Sequence, residues 1–481
     1  MAGRIRRRRA GIWRNQGREL TSLPDVLAVI DADREPALAR LFEWLRLPSI
    51  SMDPGYKADC VGAAQWCAAD LREVGFTASV RPSSGNPMVV GHRQSLTPGA
   101  PHVLFYGHYD VQPVDPLELW RRPPFEPHID TDARNGPMIV ARGSSDDKGQ
   151  VMTFFNAVRG WIAATGDVPV SITMLIEGDE ESDSAHLDRF LRANADELRA
   201  SLALVCDSEA WDRATPAITI SLRGFAGCEI TIAGPSRDLH SGKYGGAAIN
   251  PIRVLTQILG ALHDGAGRVQ IPGFYDGIAE PAAATRERWQ RLGFDPQAFL
   301  AEVGLQHPSG ERDRALLELI WTRPTAEVNG IWGGYQGPGM KTVIPAEAHA
   351  KISFRLVPGQ DPAAVYANFV RFVRERLHPD CRLTLTPSDG TRGLAVDPQA
   401  SFVALASRAL EAEWGRPLAL IGSGGSIPVV SAFKDVLGMD ALMIGFSQSD
   451  DGAHSPNEKY NVESLVRGTR SWARVIGELG G

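Results

Sequence analysis

Two histidines and a series of carboxylates stand in frames that could assemble a metal site. In chain order they are Gly107-His108-Tyr109-Asp110, Arg142-Gly143-Ser144-Ser145-Asp146-Asp147-Lys148-Gly149, Glu177-Gly178-Asp179-Glu180-Glu181-Ser182, Cys206-Asp207 and Gly452-Ala453-His454-Ser455-Pro456-Asn457-Glu458. Each ends an apolar run or sits in a Gly-marked turn. Imidazole together with carboxylate suits zinc or manganese, whereas calcium favours oxygen ligands alone. The chemistry expected of such a set is hydrolysis at a paired divalent-metal centre.

The elements that must position these residues read as α/β. Helical periodicity covers residues 23–47, and 59–74 makes a second helix with Asp59 as its cap. Extended runs follow at 88–90, 102–106, 170–176 and 202–205, with a helix over 150–164. Strands alternating with helices predict a mostly parallel, covered sheet. His108 falls just past the strand Val103-Leu104-Phe105-Tyr106, the Glu180-Glu181 pair just past 172–176, and Asp207 just past 202–205. In open α/β sheets, ligands gather beyond the carboxyl ends of the strands.

After Asp207 the texture changes. Residues 217–222 and 228–232 look like a strand pair about a turn at Arg223-Gly224, followed by a helix over 251–262. A strand at 350–356, a helix over 363–377 and a strand at 382–387 then predict a separate α+β domain. A helix over 401–414, the Gly-rich Gly422-Ser423-Gly424-Gly425-Ser426 and a helix over 462–479 return to the first domain, as His454 requires. The expected organisation is therefore a basic N-terminal arm over 1–22, a catalytic domain over 23–218 and 397–481, and an interrupting α+β domain over 219–396.

Composition narrows the class. With 43% apolar and 22% charged residues, disorder is not the default. No apolar run approaches the length of a membrane span, so no membrane partner is expected. The five cysteines form no C-x-x-C pair and are odd in number, which argues against a disulfide framework and for a reducing, cytoplasmic setting. Seven arginines crowd the first 18 residues, yet no apolar segment follows to make a secretion signal. That arm is expected to be disordered. The rest of the chain is acidic, so no nucleic-acid partner is expected.

The motifs resemble those of the M20 family of metallopeptidases, in its dipeptidase and carnosinase branch. The resemblance runs over roughly residues 24–478. It rests on Gly107-His108-Tyr109-Asp110-Val111-Gln112-Pro113, Arg142 to Gly149, Asp238-Leu239-His240-Ser241-Gly242-Lys243-Tyr244-Gly245-Gly246, Lys341-Thr342-Val343-Ile344-Pro345 and Asp451-Gly452-Ala453-His454-Ser455, all in the family's order. It implies two divalent ions per chain (zinc first, manganese second), a catalytic domain interrupted by a lid, and a homodimer formed through the lid.

By the same resemblance, Asp146 bridges both ions, His108 and Asp207 complete one, and Glu181 and His454 complete the other. Glu180 resembles the general base that takes a proton from the metal-activated water. Asp110 resembles the acid that orients His108. A cis peptide is implied between Asp146 and Asp147. Asp207 has Glu209 as a neighbouring alternative.

Arg355 matches the arginine that holds a substrate's terminal carboxylate, a role suited to the guanidinium fork. Gly425 and Ser426 resemble a substrate-contacting loop, and Thr342 a hydroxyl supplied by the neighbouring subunit. His240 resembles an oxyanion donor reaching across the dimer. Two departures from the pattern stand out. Gly422-Ser423 replaces the Arg-Glu of carnosinase relatives, and Asp183 replaces a glycine.

The expected function is metal-dependent hydrolysis of dipeptides or small peptides with a free carboxyl terminus. Two alternatives are an amidohydrolase acting on N-acyl or N-carbamoyl amino acids and a non-catalytic binding protein that keeps the fold. The full ligand set with Glu180 argues against the second.

Overall fold

The computed structural model describes residues 22–182, 184 and 186–481. The basic arm expected over 1–22 lies outside them but for Ser22, as does Asp183. The described residues form two compact units. One runs up to Ile220 and includes Val396–Ile421 and Pro428–Gly481; the other comprises Ser221–Ala395 and Gly422–Ile427.

The first unit is built on a sheet in the order Thr77–Arg81, Met88–Arg93, Ser171–Glu177, His102–His108, Leu202–Val205, Ala441–Met443, Ala217–Leu222. The central four strands, from Ser171–Glu177 to Ala441–Met443, run parallel. The pairings at the Thr77–Arg81 edge are antiparallel. Val103, Leu104, Phe105 and Tyr106 are all fully buried. That continuous apolar run, in place of alternation, marks a strand covered on both faces. His108 ends one of three adjacent parallel strands, and Glu180 and Asp207 follow the carboxyl ends of the other two, so the sheet delivers them to one edge.

Among the helices of this unit are α1 (Leu23–Ala32), α2 (Arg34–Leu45), α3 (Lys57–Glu73) and α4 (Lys148–Thr165). Helix α4 is buried over most of its length and packs against α1, α2 and the Val462–Gly480 helix. Gly160 permits the close approach of α1, because a Cβ there would lie 2.5 Å from Ile30 Cγ1. The Phe105 and Phe154 rings stack at 3.8 Å between the sheet and α4.

Two expectations about this region are corrected. Residues 23–47 do not form one helix: the chain breaks at Asp33, whose amide bonds back to Val29 and Ile30 while its carbonyl accepts the Ala37 amide and starts α2. Asp59 is not the cap of α3. The helix begins at Lys57, directly after a Pro54–Tyr56 turn, and Asp53 caps that turn by accepting the Gly55 amide at 2.8 Å. The capping carboxylate therefore lies upstream, and Asp59 sits in the first turn.

The second unit is α+β. Its sheet runs Thr325–Gly333, Glu347–Leu356, Gly224–Ala233, Arg382–Pro387, antiparallel throughout. Burial alternates along Glu347–Leu356, the period-two signature of a half-covered strand. The helices Pro251–Gly260 and Pro362–Arg374 cover the apolar face, around Ile230, Ile232, Ile258, Phe354 and Phe369. The strand pair expected about Arg223-Gly224 is not formed. Ala217–Leu222 pairs with Ala441–Met443, whereas Gly224–Ala233 pairs with Glu347–Leu356 and Arg382–Pro387. Gly224 serves close approach and not a reverse turn: a Cβ there would lie 2.3 Å from the Thr391 carbonyl.

Candidate metal centre

At the carboxyl edge of the parallel strands, two groups of possible ligands assemble. His108, Glu180 and Asp207 form one; Asp146, Glu181 and His454 form the other, each with its ligand atoms within 4.8 Å of one another. Asp146 links them. Its Oδ1 lies 3.1 Å from His108 Nε2 and its Oδ2 lies 3.0 Å from His454 Nε2. His454 Nε2 is also 3.2 Å from Glu181 Oε2. Asp207 joins the cluster, and its alternative Glu209 does not. The peptide between Asp146 and Asp147 is cis.

The surrounding residues fix these side chains. His108 Nδ1 faces the Asp110 carbonyl at 3.1 Å and its carboxylate at 3.4 Å, which turns Nε2 towards Asp146. Asp110 also accepts the Glu180 amide at 3.2 Å and the Glu181 amide at 3.0 Å, one through each carboxylate oxygen. One buried carboxylate thus orients a histidine and the turn that carries two acids. His454 sits at φ 62°, a left-handed conformation that costs a non-glycine residue of the order of 1–3 kcal/mol. Such conformations cluster at functional sites.

Electrostatics describes a site rich in negative charge. Burial, reinforced by Asp146, pushes the Asp207 carboxyl up to about 7. Burial likewise raises Glu180 well above the usual carboxylate range, with Asp207 and Glu181 adding to the effect. Asp146 moves the other way: burial opposes its ionisation, but hydrogen bonds from His108 and His454 hold it below its ordinary value. His454 is raised to about 10 by its bonds to Asp146 and Glu181. The four carboxylates of this cluster repel one another unless protons or cations offset their charge. The mixed nitrogen and oxygen donors fit divalent ions of the zinc and manganese kind.

Comparison with known proteins decides the family. Residues 104–478 match the model of peptidase family M20/M25/M40. The chain belongs to the M20 family of peptidases. It is 30% identical to the Cys-Gly metallodipeptidase DUG1 of Candida albicans, over 94% of this chain and 96% of that protein. Human carnosine dipeptidase 1 superposes with a TM-score of 0.79 at 26% identity, covering 95% of this chain and 98% of that one. The M20 metallo-carboxypeptidase Sso-CP2 of Sulfolobus solfataricus gives 0.81 at 27% identity, covering 92% and 99%. The chain is thus an M20 metallopeptidase, as its motifs suggested, with the α/β fold expected for it.

The remaining residues singled out in this M20 chain lie in the second unit, in two groups. Arg355 Nη1 donates to Ser426 Oγ at 3.1 Å, and its guanidinium lies over the Phe225 ring. Gly425 is exposed beside Ser426 and its carbonyl accepts the Arg223 amide at 3.0 Å. His240 and Thr342 lie on a separate two-stranded ribbon in which His240 opposes Val343 and the Thr342 carbonyl accepts the Ser241 amide. Both side chains belong to exposed residues.

Sequence reasoning left three supporting residues of the M20 centre without a role. Glu458 accepts the amides of Gly143, Ser145 and Asp146 at 2.7–3.0 Å and pairs with Arg142 at 2.9 Å. Gln112 donates to Glu181 Oε2 at 2.8 Å. Asp147 accepts the His108 amide at 3.2 Å. All three stand inside the quoted motifs, so the signal was their place beside proposed ligands.

Proposed function

We propose that this M20 enzyme is a dinuclear-metal dipeptidase that cleaves the amide bond of dipeptides or small peptides with a free C-terminal carboxylate. The observation that carries the reading is Asp146, whose two oxygens face His108 and His454 separately. In this reading Asp146 serves two ions, His108 and Asp207 complete one, and Glu181 and His454 complete the other. When bound, the ions (zinc first, manganese second) polarise the scissile carbonyl and make a water reactive near neutral pH.

The chain's own residues then divide the work. Glu180 accepts the proton from water and returns it to the leaving amine. Asp110 orients His108 and the Glu180-Glu181 turn. Arg355 binds the terminal carboxylate as a charged fork, and Gly425 and Ser426 line the substrate. His240 and Thr342 act on the partner's site in a homodimer, with His240 donating to the developing oxyanion. The names of the Cys-Gly and carnosine dipeptidase relatives support a dipeptide substrate. Five free, buried cysteines support a reducing, cytoplasmic setting. No helix among the described residues is long and apolar enough to cross a membrane.

The test is a substrate screen on purified protein with zinc or manganese added. Dipeptides are expected to turn over only with metal, and N-acyl amino acids much more slowly. Preference for N-acyl or N-carbamoyl amino acids would replace the dipeptidase reading with that of an amidohydrolase.

A further inference from the structure

We infer that Arg223 selects substrates whose C-terminal residue carries an acidic side chain, so that Arg355 and Arg223 together take a dicarboxylate end. The inference rests on the dipeptidase reading, which places the terminal carboxylate at Arg355. All the residues it uses belong to the second unit.

Two guanidiniums converge on one short loop. Arg223 Nε donates to the Gly424 carbonyl at 2.9 Å, and Arg355 Nη1 donates to Ser426 Oγ at 3.1 Å. Arg223 lies tight against the loop, since a Cβ on Gly424 would stand 2.9 Å from its Nη2. Phe225 is directly opposite Arg355 in the sheet, and the Arg355 guanidinium lies over its ring at 5.5 Å. Their neighbours Ala226 and Phe354 belong to the apolar core. Strand side chains alternate, so Phe225 and Arg355 occupy the opposite face of the sheet.

This pair of cations lacks a counter-charge. Neither guanidinium has a carboxylate within ion-pair distance among the described residues, and Gly422-Ser423-Gly424-Gly425-Ser426 holds no charged residue. Burial, and then repulsion from Arg355, lower Arg223 to about 10, which Glu327 only partly offsets. Beyond the loop bonds, Nη1 and Nη2 of Arg223 and Nε and Nη2 of Arg355 meet no acceptor among the described residues, yet all four stay open to solvent. One carboxylate occupies two such donors in a bidentate pair. The terminal carboxylate at Arg355 therefore leaves Arg223 unanswered. A second carboxylate, on the side chain of the same residue, answers it, whereas a lysyl or arginyl side chain would add a third cation.

The test compares alanyl-glutamate with alanyl-glutamine on the metal-loaded, full-length protein, two substrates that differ only in that charge. The wild type should favour alanyl-glutamate in kcat/KM by at least about tenfold, the worth of one charge-assisted hydrogen bond over a neutral one. In Arg223→Gln the ratio should fall to near one. Loss of the Gly424 bond alone would slow both dipeptides alike and leave the ratio as it was, so a ratio that survives Arg223→Gln would overturn the inference. Cleavage of alanyl-glutamine with no preference for alanyl-glutamate in the wild type would overturn it too, while leaving the dipeptidase reading intact. Failure to cleave either dipeptide would overturn both. If Arg223→Gln does not melt cooperatively, a crystal of Glu180→Gln holding alanyl-glutamate carries the test. The glutamate side chain should then place an oxygen about 3 Å from an Arg223 Nη, and a side-chain carboxylate bound elsewhere would overturn the assignment.

Discussion

Glu458 holds Asp146 from beneath: its Oε1 accepts the Asp146 amide at 3.0 Å, while Oε2 pairs with Arg142 at 2.9 Å in a setting where both side chains are almost wholly buried. The loop that presents the linking carboxylate of the metal site is thus organised by a second carboxylate. Glu458→Gln keeps the shape but leaves the Arg142 charge buried without a counter-ion. Loss of one partner of such a pair costs roughly 3–5 kcal/mol. Denaturant unfolding should register a loss of that order. Metal titration should show affinity lowered by roughly 10–100-fold, the usual effect of disturbing a ligand's support. Unchanged stability and metal affinity would remove Glu458 from the scaffold.

Asp110 couples His108 to the Glu180-Glu181 turn through its two oxygens and its carbonyl. Asp110→Asn places an N–H₂ against one of two backbone amides and weakens the acceptor facing His108. Metal affinity is expected to fall roughly 10–100-fold. A competitive chelator titration measures it, and an unchanged constant would show that the backbone carbonyl alone orients the imidazole.

Replacing Glu180, the proposed proton carrier, should separate metal binding from turnover. Glu180→Gln cannot accept a proton, so kcat should fall by at least roughly 10²–10⁴-fold. Metal content measured by mass spectrometry should match the wild type. Because Glu180 also lies within ligand reach of His108 and Asp207, loss of a metal in this variant would make it a ligand instead.

Much of this centre was legible because parallel strands end in it. His108 and Asp207 follow short apolar runs, and the buried sheet leaves such runs nowhere to go but its covered middle. The rest depended on contacts that no local pattern encodes. Ala441–Met443 is three residues long, yet it lies between Leu202–Val205 and Ala217–Leu222 in the sheet. Ala217–Leu222 takes Ala441–Met443 on one side and Leu394–Ala395 on the other, so Gly224–Ala233 does not pair with it. Glu458 was visible only as the end of the His454 motif, since its partners lie more than 300 residues away. At Asp33 and Asp53 the acids themselves were plain, but which one ended or began a helix was decided by backbone hydrogen bonds.

The proposed sharing of one site by two chains has its own test. His240→Ala and Glu180→Gln proteins should each be nearly inactive, with His240 contributing roughly 10²–10³ in rate as an oxyanion donor. After verified subunit exchange, heterodimers should regain one working site, joining the intact base of one chain to the intact His240 of the other. No recovery would place His240 within its own chain's chemistry or outside chemistry altogether.

Anomalous diffraction from crystals of the metal-loaded protein tests the proposed dinuclear centre most directly. Data collected on either side of the zinc absorption edge should give two peaks, about 3.5–4 Å apart. One should contact His108 and Asp207, the other Glu181 and His454, with an Asp146 oxygen on each. A single peak, or a pair in which Asp146 touches only one ion, would contradict the account.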